Sequence, residues 1–153
     1  MKIFFCVFAT LIFTCFTDAQ SLQNDSLKNQ MVKDWERAKA YTNEYLEAMP
    51  ADKYGWRPVD SIRSFAEQML HLAQGNIGLV SNGTEKARIF VGRNLERSVT
   101  AQGKDSVKFY VNTSYDFAID AIKNMDAGKL GDAVKRVSST ESKLAWINKG
   151  FEH

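Results

Sequence analysis

The sequence contains little cysteine and little histidine. Both cysteines, Cys6 and Cys15, lie within the first 19 residues. The rest of the chain therefore has no thiol for a disulfide, a cysteine-ligated metal site or a cysteine nucleophile. The chain also lacks a glycine-rich phosphate-binding loop and a glycine-flanked nucleophilic serine. With only two histidines in 153 residues, an imidazole-based site must use His71 or His153.

Neither sign of charge dominates the chain. Its 20 lysines and arginines and 18 aspartates and glutamates give a formal net charge of +2 at pH 7. These residues are interspersed, and no basic block or stripe is present, so the usual electrostatic footprint of nucleic-acid binding is missing. The sequence predicts no nucleic-acid partner.

The first 19 residues have the features of a signal peptide. A positive Lys2 precedes an apolar run over residues 3–16, and the small residue Ala19 suits a signal peptidase. The run is too short to span a bilayer comfortably. We expect cleavage before Gln20, which would leave residues 20–153 as an exported domain, periplasmic or secreted, without a stable membrane span.

A lipid anchor at Cys15 is a less favoured alternative. The residues before it include the bulky Phe13 and Thr14, which suit a lipidation site poorly. An uncleaved membrane anchor is the third alternative. Each of the three outcomes places the domain outside the cytoplasm.

Three segments of the exported domain carry the apolar spacing of long amphipathic helices. The first ends at Pro50, and its spacing predicts an inward face of Met31, Trp35, Ala38, Thr42, Tyr45 and Met49. The second opens with a capping box from Ser64 to Glu67 and is predicted to end near Val80. Its predicted apolar stripe comprises Phe65, Met69, Leu72, Ala73, Leu79 and Val80. The third is predicted from about Asp105 to Met125.

The remaining segments carry weaker patterns. Residues 84–104 fit either a short helix or a packed connection, and residues 130–137 are expected to add a helical turn or two. A second capping box from Ser138 to Glu141 is expected to open a fourth helix that includes Phe151. No strand-like alternation of useful length is present. The predicted fold is all-α, a four-helix bundle of the up-down type with a longer connection.

The two histidines, taken by themselves, leave two interpretations open. His71 lies beside Gly75 and Gly78 on a helical wheel, which suits a site at a helix–helix contact but equally an ordinary exposed histidine. His153 is a terminal residue in this sequence, and a catalytic zinc site normally takes three protein ligands. The residues alone therefore do not establish a metal site.

The carboxylates offer a weaker alternative site. Asp116 and Asp120 can share a helix face, and Glu85 and Glu96 are spaced like residues of a solvated helix surface. None of them has a context that distinguishes a catalytic pair from ordinary surface charge. Ser64 and Ser138 are better explained as helix caps than as nucleophiles.

Three consecutive motifs connect the first two helices: residues 46–50 (LEAMP), 52–58 (DKYGWRP) and 63–71 (RSFAEQMLH). This order resembles the N-terminal half of the DinB-like superfamily, whose members are four-helix bundles. The resemblance is fairly specific over residues 45–76. It is looser, mainly in the order of helices, over residues 106–153.

The resemblance implies a divalent metal, zinc or nickel, held by three histidines. His71 matches the ligand on the second helix, and His153 is similar to the first member of an H-x-x-x-H pair on the fourth. The partner of that pair would lie four residues beyond His153, so we expect the end of the fourth helix to be missing from this sequence.

Two functions from different classes follow. The resemblance implies a metal-dependent transferase or hydrolase that acts on a small molecule, with the metal activating a thiol or water. Export weakens the thiol version, because cytoplasmic thiol cofactors are scarcer outside the cell. The alternative is a non-catalytic exported bundle that binds a small ligand or a partner protein. The oligomeric state stays open, with a homodimer as one option.

Overall fold

The computed structural model describes residues 20–137 and 139–153, together with the helical backbone of residues 3–19. The predicted signal peptide, residues 1–19, and the predicted cap Ser138 lie outside the residues described in full. The described part contains α1 (Ile3–Ala48), α2 (Phe65–Thr84), α3 (Lys104–Asn124), α4 (Lys143–Glu152) and the short strands β1 (Ala133–Lys135) and β2 (Thr140–Ser142). The chain is therefore mostly helical, as predicted. No helix in the described residues is both long and apolar enough to cross a membrane.

Helix α1 contributes one apolar face to the core, with one correction to the prediction. Met31 and Trp35 are buried as expected, but Tyr45 is 69% exposed and its neighbour Leu46 is fully buried. Because adjacent helical positions point about 100° apart, the spacing could not decide which of two apolar neighbours faces inward. The hydroxyl of Tyr54 donates a hydrogen bond to the Leu46 carbonyl (2.6 Å), which satisfies a free carbonyl near the helix end.

Helix α2 begins as the sequence predicts. The Ser64 hydroxyl accepts from the Glu67 N–H, and the Glu67 carboxylate accepts from the Ser64 N–H, so the capping box is complete. The helix ends at Thr84, four residues after the predicted end, and Glu85 closes it in the left-handed conformation. The helix continues past the predicted end near Val80, and Gly83, in its last turn, packs against α4, as described below.

The buried face of α2 is also shifted from the predicted stripe. Its buried apolar residues are Ala66, Leu70, Ala73, Ile77 and Val80. The predicted Phe65, Met69 and Leu72 are only partly buried. The helix packs against both α3 and α4, so its apolar band is wider than a single stripe, and periodicity alone misplaces its centre.

Helix α3 matches its prediction to within a residue at each end. Val107, Val111, Ala118 and Ile122 are buried, and α3 lies against both α1 and α2. Helix α1 also contacts α4, and Trp35 of α1 makes this contact. The Trp35 ring packs edge-on against Phe151, with the ring centroids 5.8 Å apart.

The segment before α4 differs from the prediction. Residues 130–137 were expected to be helical, and a helix was expected to begin with the capping box at Ser138–Glu141. Instead β1 and β2 form an antiparallel pair in which Ala133 faces Ser142. The cap of α4 is Ser142, whose hydroxyl accepts from the Ala145 N–H (3.1 Å). Strands of three residues are too short to show alternation, so no strand pattern is visible in this part of the sequence.

Candidate metal centre

The two histidines predicted as ligands lie side by side. The rings of His71, in the middle of α2, and His153, at the end of α4, have centroids 4.7 Å apart and planes at 43°. The His71 side chain is 28% exposed, and His153 is exposed. The pair therefore faces solvent at one end of the contact between α2 and α4.

A glycine on α2 makes room for the His153 ring. A Cβ at Gly75 would lie 2.6 Å from Nε2 of His153 and closer still to Cδ2, so no other residue fits here unless the ring moves. Gly78, the second small neighbour of His71 noted in the sequence, has nothing within 4 Å of such a Cβ. Of Gly75 and Gly78, only Gly75 permits the close approach of another helix that was predicted for both glycines.

The packing of α4 determines where its last residue lies. Ile147 is fully buried and would touch a Cβ at Gly83 of α2. One turn later, the position of Gly150 lies against Val80 and Trp35. These contacts hold α4 against α2, and His153 follows one turn after Gly150, opposite Gly75.

Glu96, in the connection between α2 and α3, contacts His71 directly. One oxygen of its carboxylate, Oε1, is hydrogen-bonded to Nδ1 of His71. The other, Oε2, accepts from Nε of Arg63 (2.8 Å). The prediction that Glu96 is a carboxylate on a solvated helix surface was wrong, because residue 96 is not helical and is only 25% exposed.

Two glutamines hold the backbone of Glu96 in place. The Gln74 side-chain oxygen accepts from the backbone N–H groups of Leu95 (3.0 Å) and Glu96 (3.4 Å). The Gln102 amide donates to the Glu96 carbonyl (2.9 Å). Because Gln74 lies three residues after His71, α2 positions both the histidine and the carboxylate that contacts it.

Hydrogen bonding favours the ionised form of Glu96. Burial raises its pKa, but the hydrogen bonds from Arg63 and His71 outweigh burial and hold the pKa of Glu96 below its usual value. An ionised carboxylate only accepts hydrogen bonds, so Nδ1 of His71 must carry the proton. A neutral His71 then has a free lone pair on Nε2.

The environment of His153 favours its neutral form. Burial lowers the pKa of His153, electrostatic repulsion from His71 and Arg63 lowers it further, and Glu96 acts in the opposite direction. Neutral imidazole is the form that binds a metal ion.

The donor set fits a divalent metal in two respects. Two imidazoles from different helices are adjacent, and a carboxylate contacts the ring nitrogen of His71 that would point away from a metal, which is the usual outer-shell arrangement of histidine ligands. A third ligand is not supplied by this cluster: among residues 20–137 and 139–153, no group of three or more His, Cys, Asp or Glu side chains is placed to hold an ion.

The other carboxylates considered in the sequence form ordinary ion pairs. Asp116 pairs with Lys39 (2.6 Å), and Asp120 pairs with Lys86. Glu85 pairs with Lys143 (2.6 Å). Each is exposed, so the interpretation of these residues as surface charge agrees with the structure.

No family model and no curated protein matches this chain. The resemblance to the DinB-like superfamily, and the ligands and metal that it implies, therefore stay predictions.

Proposed function

We propose that this protein is a divalent-metal-binding helical bundle of the DinB-like, up-down type, and a metal-dependent transferase or hydrolase that acts on a small molecule. His71 and His153 would bind zinc or nickel. The observation that carries this proposal is the adjacency of these two rings, since they are the only histidines of the sequence and come from helices far apart along the chain.

The hydrogen bonds around His71 support its role as a metal ligand more strongly than its position on a helical wheel does. Glu96 fixes the Nδ1–H tautomer and the orientation of the ring, and Arg63 fixes Glu96 in turn. Outer-shell carboxylates of this kind raise the basicity of a ligating imidazole and hold it in place. Gly75 contributes by leaving space for the second ring.

The chemistry of the proposed function lies at the exposed face of the histidine pair. A divalent metal there would act as a Lewis acid that activates a thiol or a water molecule. The residues of the chain would bind and orient: His71 and His153 hold the ion, and Glu96 keeps a proton on Nδ1 of His71. The exposed position of the pair would give a small substrate access without a large rearrangement.

Metal content of the purified protein tests the proposal. After exposure to zinc or nickel and removal of free ions, inductively coupled plasma mass spectrometry should find close to one ion per chain. His71→Ala should lose it. Gln68→Ala, an exposed position on the same helix, should keep it. A folded wild-type protein that fails to bind either metal would overturn the proposal.

A non-catalytic bundle is the second candidate function, and the Arg63–Glu96 ion pair favours it. In that case Glu96 would simply bridge Arg63 and His71 and fasten the connection to α2. The two candidates differ in one measurement. If the contact is only structural, His71→Ala lowers the free energy of unfolding in metal-free buffer but does not change the response to added zinc.

A further inference from the structure

A second polar feature of the molecule is a cavity beside α2. It has a volume of about 180 Å³ and lies between Gln74, Ile77 and Gly78 of α2 and residues 88–93 and 95 of the following connection. This volume is below the roughly 300–1,000 Å³ typical of sites for drug-sized ligands. The cavity therefore suits a small ligand about the size of one substituted benzene ring, since a cavity of about 150 Å³ can bind benzene.

The lining carries two positive charges and no negative one. Arg88 and Arg93 both line the cavity, without any Asp or Glu. Within the described residues, their guanidinium groups donate to neutral oxygens: Arg88 donates to the Asn82 side chain (3.0 Å) and the Gly78 carbonyl (3.4 Å), and Arg93 donates to the Tyr110 hydroxyl (3.5 Å).

These two arginines differ from most cations of the protein. Six of the lysines, for example, contact a carboxylate: Lys39, Lys86, Lys104, Lys108, Lys143 and Lys149. Neither Arg88 nor Arg93 pairs with an acid within the described residues. A guanidinium has five N–H donors in a fork that matches a carboxylate, so both keep donors for an anionic ligand.

Apart from Gln74, the rest of the wall carries no polar side chain. Ile77, Ile89, Phe90 and Val91 line the cavity, and Phe90 has a φ of 56°, which is unusual for a bulky residue. Packing holds it there, because its ring lies edge-on against Tyr110 with the centroids 5.1 Å apart. A strained residue fixed by its neighbours commonly marks a functional site.

We propose that this cavity binds a small organic carboxylate. The carboxylate group would contact Arg88 and Arg93, and the apolar part would lie against Ile77 and Phe90. The site goes beyond the proposed metal function and does not depend on it. The two are neighbours, because Gln74 lines the cavity and also anchors Glu96 beside His71.

Benzoate is a suitable probe, with benzamide as a neutral molecule of nearly the same shape. Both are titrated into the full protein in the presence of EDTA, so that carboxylate binding to a metal cannot produce the signal, and binding is followed by ligand-observed NMR. Benzoate should bind saturably with a Kd in about the millimolar range, and benzamide at least about tenfold more weakly, since it lacks the charge. Inorganic phosphate, which has charge but no apolar part, should also bind more weakly.

Three arginine variants locate the site. Arg88→Gln and Arg93→Gln should each weaken benzoate binding about tenfold, because each removes a charged hydrogen-bond donor. Arg97→Gln is the matched control: Arg97 is exposed in the same connection and does not line the cavity. It should bind benzoate like the wild type.

Gly78→Leu provides an independent test that keeps both arginines. A Cβ at Gly78 meets nothing within 4 Å, so leucine should fill the cavity without disturbing the helix and should prevent binding. The proposal is overturned if wild-type protein shows no saturable benzoate binding, if benzamide or phosphate binds equally well, or if benzoate binds equally to the folded Arg88, Arg93 and Gly78 variants.

Discussion

The contact between α2 and α4 differs at its two ends, although a glycine of α2 permits close approach at both. At one end Gly83 faces the backbone of Lys143 and the side chain of Ile147, which is fully buried. At the other end Gly75 faces the imidazole of His153, which is exposed and lies beside His71. The first contact is buried, and the second brings two imidazoles together and is open to solvent.

The difference separates the contribution to stability from the proposed metal site along one interface. A side chain at position 83 must displace backbone atoms of α4, which lowers the free energy of unfolding. A side chain at position 75 displaces only the ring of His153. This should lower the stability little, but it separates the imidazoles of His71 and His153. Substituting the glycines one at a time therefore tests which end supports the fold and which end supports the proposed site.

The largest effect on stability is expected from Gly83→Ala. The added Cβ would lie 2.6 Å from the Lys143 carbonyl oxygen and 2.7 Å from Cγ1 of Ile147. Overpacking of this kind costs about 1–3 kcal/mol, and alanine's better helix propensity offsets about 1 kcal/mol of that cost, so the free energy of unfolding should fall by up to about 2 kcal/mol. Urea denaturation measures the change, and an unchanged midpoint would show that α4 does not pack this closely.

Gly75→Ala should act on metal binding and leave the fold intact. The His153 ring must move away from His71, so zinc affinity should fall at least about tenfold, the usual scale for disturbing a metal site from its surroundings. The free energy of unfolding without metal should stay the same or rise slightly. Competition with a chromophoric chelator measures the affinity. An unaltered zinc affinity would mean that the approach of His153 to Gly75 is unrelated to a site.

Glu96→Gln should weaken zinc binding about tenfold, because the neutral amide no longer favours a ligating His71 as a carboxylate does. Glu141→Gln is the matched control, since it also removes a carboxylate in contact with a cation, Lys149, and Glu141 lies in β2, before the start of α4. The control should bind zinc like the wild type. Equal affinities for all three proteins would contradict the role given to Glu96.

The smallest effect is expected from Gly78→Ala, in the middle of the same helix. A Cβ there meets nothing within 4 Å, so the substitution should raise the free energy of unfolding by about 0.5–1 kcal/mol through helix propensity alone. Zinc affinity should not change. A loss of zinc binding in this variant would show that sensitivity to substitution is not specific to Gly75.

Local signals explain what the sequence predicted well. The capping box at Ser64 and Glu67 and the periodicity of α3 depend on residues within one or two turns, and both are confirmed. The β1–β2 pair was missed because its strands have three residues each. The residues that precede α4 also resemble a helix cap, so the local pattern favoured the wrong start.

The candidate site was predicted only in part, and for a physical reason. His71 and His153 were named from the resemblance, and the structure brings them together. Glu96 was missed because it lies in an irregular connection, where no periodicity exists to place it. Its position depends on hydrogen bonds to Gln74 and Gln102, and such side-chain contacts leave no regular pattern in a sequence.

X-ray absorption spectroscopy of the zinc-loaded protein shows directly whether the two histidines bind the metal. We expect at least two imidazole nitrogens at about 2.0–2.1 Å from zinc, and loss of one of them in His71→Ala. A zinc shell made only of oxygen atoms, or one that His71→Ala leaves unchanged, would contradict the claim that His71 and His153 form a metal centre.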